Sequence, residues 1–224
     1  NKWMTIMSKQ RITPLLALAL SLAATQPSAA PARQTEAPMA ASEYESRVAQ
    51  ATANPKTLAA GKRAAFLCLY CHGEDGNSVQ ENIPNLAGQN PVYLLTQIEK
   101  FGDGRRNDEF MSGLIKSLSN EDRVSMAVYY AAMRPTPAKV DDERLLANGK
   151  KRYLATCSGC HGARATGNKS IARLAGQRVS YLTQALNNYR SSNPPRTDPV
   201  MTLIARKLPV EDIPAIATYL STLK

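Results

Sequence analysis

The sequence predicts an all-α protein built from two tandem domains related by internal duplication. Apolar residues recur at helical spacing through most of the chain, and the alternating runs of Val, Ile and Thr that indicate strands are absent. NLAGQ at 85–89 returns as RLAGQ at 173–177, and the two histidines, His72 and His161, lie 89 positions apart (161 − 72). A near-constant offset of this kind indicates two copies of a domain of about 85 to 90 residues.

The amino-terminal segment has the features of an export signal. Lys9 and Arg11 precede the apolar run PLLALALSLAA, and small residues follow it at positions suited to signal-peptidase cleavage. We therefore predict a signal peptide over residues 1–30, with an uncleaved membrane anchor as the alternative. Residues 31–55 are rich in Ala, Pro, Glu and Ser and show no sustained apolar stripe, which predicts a tether or a loosely packed extension.

Each predicted domain begins and ends with a helical pattern. The first domain is predicted at 56–138, with a helix over 57–71 and a closing helix that Ser119 would cap. The second is predicted at 139–224, with a helix over 143–160 and a closing helix of its own. The boundary lies near PTPAKVDDE, where two prolines and three acids interrupt the helical pattern.

Each domain contains one C-x-x-C-H frame, and together the two frames hold every cysteine and histidine of the chain. They comprise Cys68, Cys71 and His72 in the first domain, and Cys157, Cys160 and His161 in the second. Two thiols at this spacing can add to the two vinyl groups of one porphyrin, and the adjoining histidine then becomes an axial ligand of the iron. The frames therefore predict two covalently attached haem c groups.

Two other uses of a C-x-x-C pair are a zinc site and a redox disulfide. A four-thiolate zinc ribbon usually separates its pairs by about 15 to 20 residues, whereas 85 residues lie between Cys71 and Cys157 (157 − 71 − 1). Each pair is also followed at once by His and Gly, in a chain with an export signal. These features favour haem over both alternatives.

The sixth ligand of each iron is predicted to be a methionine, because the chain has no further histidine. The carboxy-terminal domain contains one methionine, Met201, 40 positions after its frame histidine (201 − 161). Met111 lies at the matching position of the first domain, 39 after the histidine (111 − 72). Met126 and Met133 lie in the closing helix at spacing typical of core packing. We therefore predict His72/Met111 and His161/Met201 as the two ligand pairs.

These motifs together resemble those of the two-haem cytochrome c4 family. The resemblance covers residues 57–224 and rests on C-x-x-C-H-G, PNLAGQ-x-x-x-YL, F-x-x-G-R before a methionine, and a Ser-capped helix with Tyr. It implies two class I cytochrome c domains in a periplasmic electron carrier, soluble or attached to the inner membrane. It also implies an upstream redox donor and, often, a terminal oxidase of a respiratory chain as acceptor.

The resemblance further assigns roles to residues around the haems. The carbonyl of Pro84 is expected to accept a hydrogen bond from His72, and Ala172 stands at the corresponding position of the second domain. Since Ala172 lacks the fixed φ of proline, the orientation of His161 is expected to be less secure.

Other implied roles concern the haem propionates and the helix crossing. Tyr93 and Tyr181 would donate to propionates and Arg105 would neutralise one, although such residues near helix ends are equally often ordinary surface or core residues. Gly61 and Gly149 resemble the glycines that let the first and last helices of such domains cross closely.

The predicted ligand pairs indicate an electron carrier rather than an enzyme. His and Met together saturate the iron and leave no open position for substrate. A dihaem peroxidase would need a vacant or removable ligand, so this alternative is disfavoured. A haem-bearing subunit of a dehydrogenase, as in flavocytochrome c, remains open, and a large exposed apolar patch would favour it.

Charge is distributed unequally between the two halves. Residues 31–140 contain 12 basic and 12 acidic residues, whereas residues 141–224 contain 13 basic and 6 acidic residues. A basic chain can indicate nucleic acid, but an exported haem protein does not meet it. We expect instead that the second domain docks on an acidic partner or lies near anionic lipid, which would allow membrane association.

Overall fold

The computed structural model describes residues 36–224, and the predicted signal peptide at 1–30 lies outside them. Within this range the fold is α-helical and contains no β-strand, which confirms the predicted class. One isolated antiparallel bridge joins Arg106 and Arg196. No helix in the described part is long and apolar enough to cross a bilayer.

The five helices of the second half repeat the order of the last five helices of the first half. The first half contains α1 (Tyr44–Ala53), α2 (Thr57–Ala64), α3 (Leu69–His72), α4 (Pro91–Gly102), α5 (Glu109–Lys116) and α6 (Asn120–Ala131). The second half contains α7 (Glu143–Thr156), α8 (Ser158–His161), α9 (Val179–Arg190), α10 (Pro199–Lys207) and α11 (Ile213–Ser221). Single turns of 3₁₀ helix precede α1 at Ala41–Glu43 and α11 at Val210–Asp212.

The first helix of each half is shorter than the sequence predicts. The pattern over 57–71 divides into α2 and α3, because the backbone tightens at residues 65–68, where the amide of Cys68 donates to the carbonyl of Ala65 at 2.8 Å. The pattern over 143–160 divides into α7 and α8 at Cys157. The predicted cap of α6 is confirmed, since Ser119 and the third helical residue form a reciprocal capping box.

The first and last helices of each half cross in close contact. α2 packs on α6, and α7 packs on α11. A Cβ added to Gly61 would lie 2.5 Å from the Cβ of Tyr129, and one added to Gly149 would lie 2.7 Å from the Cβ of Tyr219. Both crossings therefore require glycine, as the family resemblance implies.

Residues 44–53 form a packed helix, which corrects the prediction of a tether over 31–55. Helix α1 packs on α4 and α6. Tyr44, Val48 and Ala51 follow one another at helical spacing and join the core of the first half, as does Met39. Three apolar side chains on one stripe are enough to dock a ten-residue helix, although the composition of this segment is mostly polar and small.

Two apolar cores lie in the two halves, and the duplicated motifs meet between them. The amide of the Gln177 side chain donates to the carbonyl of Asn85 at 2.9 Å, and its Oε1 accepts from the Asn85 backbone N at 2.8 Å. Gln89 makes the same pair of bonds with the backbone of Arg173, at 2.8 and 2.7 Å. We call this contact between residues 85–89 and 173–177 the seam.

Candidate functional site

The two C-x-x-C-H frames occupy equivalent turns of backbone. His72 and His161 are the last residues of α3 and α8, and each is followed by a glycine with positive φ, 84° at Gly73 and 80° at Gly162. This left-handed conformation ends the short helix immediately after the histidine. Both imidazoles are buried.

Each imidazole is held through one ring nitrogen. Nδ1 of His72 lies 2.9 Å from the carbonyl oxygen of Pro84, and Nδ1 of His161 lies 2.9 Å from that of Ala172. A carbonyl oxygen only accepts, so Nδ1 carries the proton and Nε2 keeps a lone pair for a metal. The two distances are equal, so the weaker hold expected for His161 is not observed.

Burial favours the neutral form of both histidines. Loss of solvent lowers the pKa of His72 and of His161 from the ordinary histidine value. A neutral imidazole with a free Nε2 is the form that binds iron.

The four cysteines are free thiols and fit covalent haem attachment. Burial raises the pKa of Cys68 and of Cys157 to about 11, so both stay protonated at neutral pH. Among residues 36–224, no group of three or more Cys, His, Asp or Glu side chains converges to hold a metal ion by itself. Two thiols beside one neutral imidazole therefore fit a haem in each half better than zinc.

Met111 and Met201 occupy matching positions in the two halves. Each is the third residue of its helix, α5 or α10. The backbone N of Met111 donates to Oδ1 of Asp108 at 2.9 Å, and that of Met201 donates to Oδ1 of Asp198 at 3.0 Å. The two caps fix both helix starts in the same way. Met126 instead lies in the apolar core, with the packing role expected for it.

Tyr93 and Tyr181 contact two arginines that are not among the predicted site residues. Arg196 donates to the hydroxyl of Tyr93 at 3.1 Å and to that of Tyr181 at 3.2 Å. Arg106 also donates to Tyr181, at 3.2 Å. Arg105, the residue expected here, is instead 54% exposed and pairs with Asp103 at 2.5 Å.

A short repeat could have identified these arginines. Arg106 and Arg196 each open an R-x-D-x-x-M segment that ends at the candidate methionine ligand. The alignment from the methionine backwards selects Arg106, whereas the earlier motif F-x-x-G-R selects Arg105. The loop before α10 is longer than the loop before α5. An alignment of the two halves that starts from the preceding helix therefore does not pair Arg106 with Arg196.

The arginines also change the acidity of one tyrosine. Burial raises the pKa of Tyr181, but Arg106 and Arg196 lower it more, to about 8. The cluster is therefore a region of positive potential between the halves.

Comparisons with known proteins give a consistent family. The family model described as cytochrome c matches residues 146–224. Cytochrome c4 of Pseudomonas aeruginosa is 35% identical over 179 residues, covering 74% of this chain and 88% of that protein. Cytochrome c4 proteins are electron-transfer proteins rather than enzymes, and they carry two covalently attached haem groups.

Solved structures agree with this result. The crystal structure of reduced recombinant cytochrome c4 from Pseudomonas stutzeri matches with a TM-score of 0.67 and 31% identity, covering 74% of this chain and 97% of that one. Thiosulfate dehydrogenase (TsdBA) from Marichromatium purpuratum matches with a TM-score of 0.65 and 29% identity, covering 75% of this chain but 40% of that one. The repeated frames, the helical fold and these similarities show that the chain belongs to the cytochrome c4 family of dihaem electron-transfer proteins.

Proposed function

We propose that this protein carries electrons in the periplasm from an upstream donor to a terminal oxidase, with His72/Met111 and His161/Met201 as the axial ligands. The observation that supports the proposal is that the two halves place a histidine and a methionine in equivalent backbone settings. In each half a histidine is held by its Nδ1 at 2.9 Å, and a methionine stands third in a capped helix. A saturated iron transfers electrons and has no position for substrate.

Backbone and side-chain groups of the protein would orient the ligands and limit rearrangement. Cys68 and Cys71, and likewise Cys157 and Cys160, would hold one haem each through thioether bonds. The haem iron supplies a one-electron couple. The carbonyls of Pro84 and Ala172 fix the imidazole rings and raise their basicity. The hydrogen bonds of the seam join the two halves, which favours transfer with little change of structure.

The test of this proposal is the absorption spectrum of the reduced holoprotein before and after addition of carbon monoxide. We expect no change, because both irons are saturated. Gas binding at either haem would mean that a methionine assignment is wrong or labile, and the carrier role would then need revision. Oxidation of the reduced protein by a purified terminal oxidase tests the acceptor directly.

The second half is proposed to dock on the acceptor through its positive charge. It holds 13 basic and 6 acidic residues, against 12 and 12 in residues 31–140. Its exposed basic side chains include Lys150, Lys151 and Lys207. Exposed charges of one sign steer an oppositely charged partner and are screened by salt.

Salt therefore provides a test of this orientation. We expect oxidation by the oxidase to slow by about tenfold as ionic strength rises from low to physiological values. Lys150→Glu should slow the reaction at low salt, whereas Lys62→Glu, an exposed change in the first half, should have little effect. Equal effects of the two variants would contradict docking through the second half.

The periplasmic location is proposed from the family and from the export signal at the amino terminus. Native mass spectrometry would measure the mass of two haems and show whether residues 1–30 are removed. A chain that keeps them and sediments with membranes would favour the anchored alternative.

A second candidate function is a haem subunit held against a dehydrogenase, and an exposed apolar patch favours it. Phe66 and Leu67 are each 58% exposed and Tyr70 is 64% exposed, and all three flank Cys68 or Cys71. The matched positions of the second half carry Ala155, Thr156 and Gly159. The similarity to part of a thiosulfate dehydrogenase chain is also compatible with this role.

Purification from the native cells separates the two candidates. A diffusible carrier should sediment at its own mass, whereas a subunit should co-purify in fixed ratio with a chain that contains flavin or molybdenum. If such a complex is found, Phe66→Ser should weaken it. Leu154→Ser, which changes another exposed apolar residue in the second half, should not.

A further inference from the structure

Two arginines cross between the halves in a reciprocal arrangement. Arg106 belongs to the first half and donates to the hydroxyl of Tyr181 in the second, at 3.2 Å. Arg196 belongs to the second half and donates to the hydroxyl of Tyr93 in the first, at 3.1 Å. Both also donate to the same atom, Oε1 of Gln97, at 3.1 Å. Each guanidinium therefore contacts side chains of the opposite half.

The backbone and the aromatic rings hold this arrangement rigidly. Residues 106 and 196 form the antiparallel bridge, and the amide of Asn107 donates to the carbonyl of Pro195 at 2.5 Å. The guanidinium of Arg106 lies 4.4 Å from the ring centre of Phe101, and that of Arg196 lies 4.9 Å from that of Tyr189. Two like charges are thus kept close together by neutral groups.

No carboxylate among residues 36–224 forms an ion pair with either arginine. Their hydrogen-bond acceptors on side chains are phenol and amide oxygens. Lys100 adds a third positive charge to the same region, and Asp198 is the acidic group near it. Partly buried cations at such short separation need anions to offset their repulsion.

We infer that Arg106 and Arg196 form one shared site for haem carboxylates, in which the arginine of each half acts on the haem of the other half as well as its own. This inference rests on the proposed function, since it requires a haem in each half. Haem propionates are the anions that both halves would bring to this pair of arginines. The pair would then couple the reduction potentials of the two haems.

The sign of the effect follows from electrostatics. The oxidised iron centre carries one more positive charge than the reduced centre, so a nearby cation disfavours oxidation and raises the potential. Loss of either arginine should therefore lower both potentials, because each guanidinium contacts both halves. An arginine that served one haem alone would change one potential.

The experiment is a spectroelectrochemical titration of the full-length holoprotein and three variants. We expect Arg106→Gln and Arg196→Gln each to lower both midpoint potentials, with the equilibrium constant for reduction falling about tenfold, equivalent to about 59 mV for one electron. Arg105→Gln is the matched control, because it removes the same charge one residue away at an exposed position paired with Asp103. It should change either constant by less than about twofold.

A second variant keeps the test decisive if a glutamine variant does not fold. Gln97→Glu keeps the shape of the acceptor shared by both arginines and adds a negative charge. It should lower both potentials. A shift in one potential only, or equal shifts in the Arg105 and Arg196 variants, would overturn the shared site.

Two further readouts separate the possible failures. Potentials of the wild-type protein that depend on added phosphate would mean that a solution anion occupies the site, which also overturns the inference. Carbon monoxide binding by the wild-type protein would refute the ligand assignment instead. It would not change the difference in midpoint potential between the Arg105→Gln and Arg106→Gln variants. The proposed function and the shared site can therefore fail independently.

Discussion

Replacement of Gln177 by leucine should destabilise the contact between the halves. The side chain of Gln177 is buried and accepts from the backbone N of Asn85 at 2.8 Å while donating to its carbonyl at 2.9 Å. Leucine has a similar volume but no polar atoms, so it leaves both backbone groups of the buried Asn85 without these partners. The change therefore tests whether the reciprocal bonds stabilise the holoprotein.

The expected magnitude comes from the number of groups left unpaired. An unsatisfied buried donor or acceptor costs about 1–3 kcal/mol, so two of them cost about 2–6 kcal/mol before any gain from apolar burial. Leucine recovers about 1–2 kcal/mol of this by burying its side chain. We therefore expect the free energy of unfolding to fall by about 1–4 kcal/mol.

Urea unfolding followed by circular dichroism measures this change. Gln184→Leu is the matched control, because Gln184 is exposed on α9 and its replacement should alter stability by less than about 0.5 kcal/mol. Gln89→Leu should reproduce the effect from the other side of the seam. Surface substitutions usually change the free energy of unfolding by less than about 0.5 kcal/mol. A Gln177→Leu variant whose free energy of unfolding lies within that range of the control would refute the reasoning.

Three further predictions concern the helix crossings, the buried ion pair and the sixth ligand. Gly149→Ala should lower the thermal unfolding temperature sharply, since its Cβ would overlap the backbone of α11, whereas Gly113→Ala has no atom within 4 Å and should be neutral or stabilising. Glu99→Gln removes the charge that pairs with the buried Arg123 at 3.3 Å, so we expect urea unfolding to show a loss of about 3–5 kcal/mol. Met201→Ala should let the reduced protein bind carbon monoxide at one haem per chain, and binding at none would contradict the assignment.

The sequence determined the features that depend on spacing along the chain. The two C-x-x-C-H frames and the 89-residue offset depend on residues close together or on a repeated offset, whereas the crossing glycines Gly61 and Gly149 were implied by the family resemblance. Covalent attachment to one porphyrin needs fixed spacing, and a close helix crossing needs the absence of a side chain. Such constraints leave a local pattern that can be read without a structure.

Helix α1 shows why composition alone misled the prediction for residues 31–55. Its stability comes from the packing of Tyr44 and Val48 against α4 and α6 rather than from its own propensity. A short apolar stripe gains this stability only when a partner surface exists, and the partner lies about 50 to 80 positions away in the chain.

Only the tertiary structure decided what the two adjacent arginines, Arg105 and Arg106, contact. Arg105 and Arg106 are adjacent and chemically identical, yet one pairs with Asp103 in solvent and the other contacts the second half. The direction of a side chain in a loop depends on backbone dihedrals and on the bridge to Arg196, 90 positions away (196 − 106). The local R-x-D-x-x-M repeat selects Arg106 by its position. It contains no information about the residues that Arg106 contacts, because the energy that fixes those contacts comes from the opposite half of the protein.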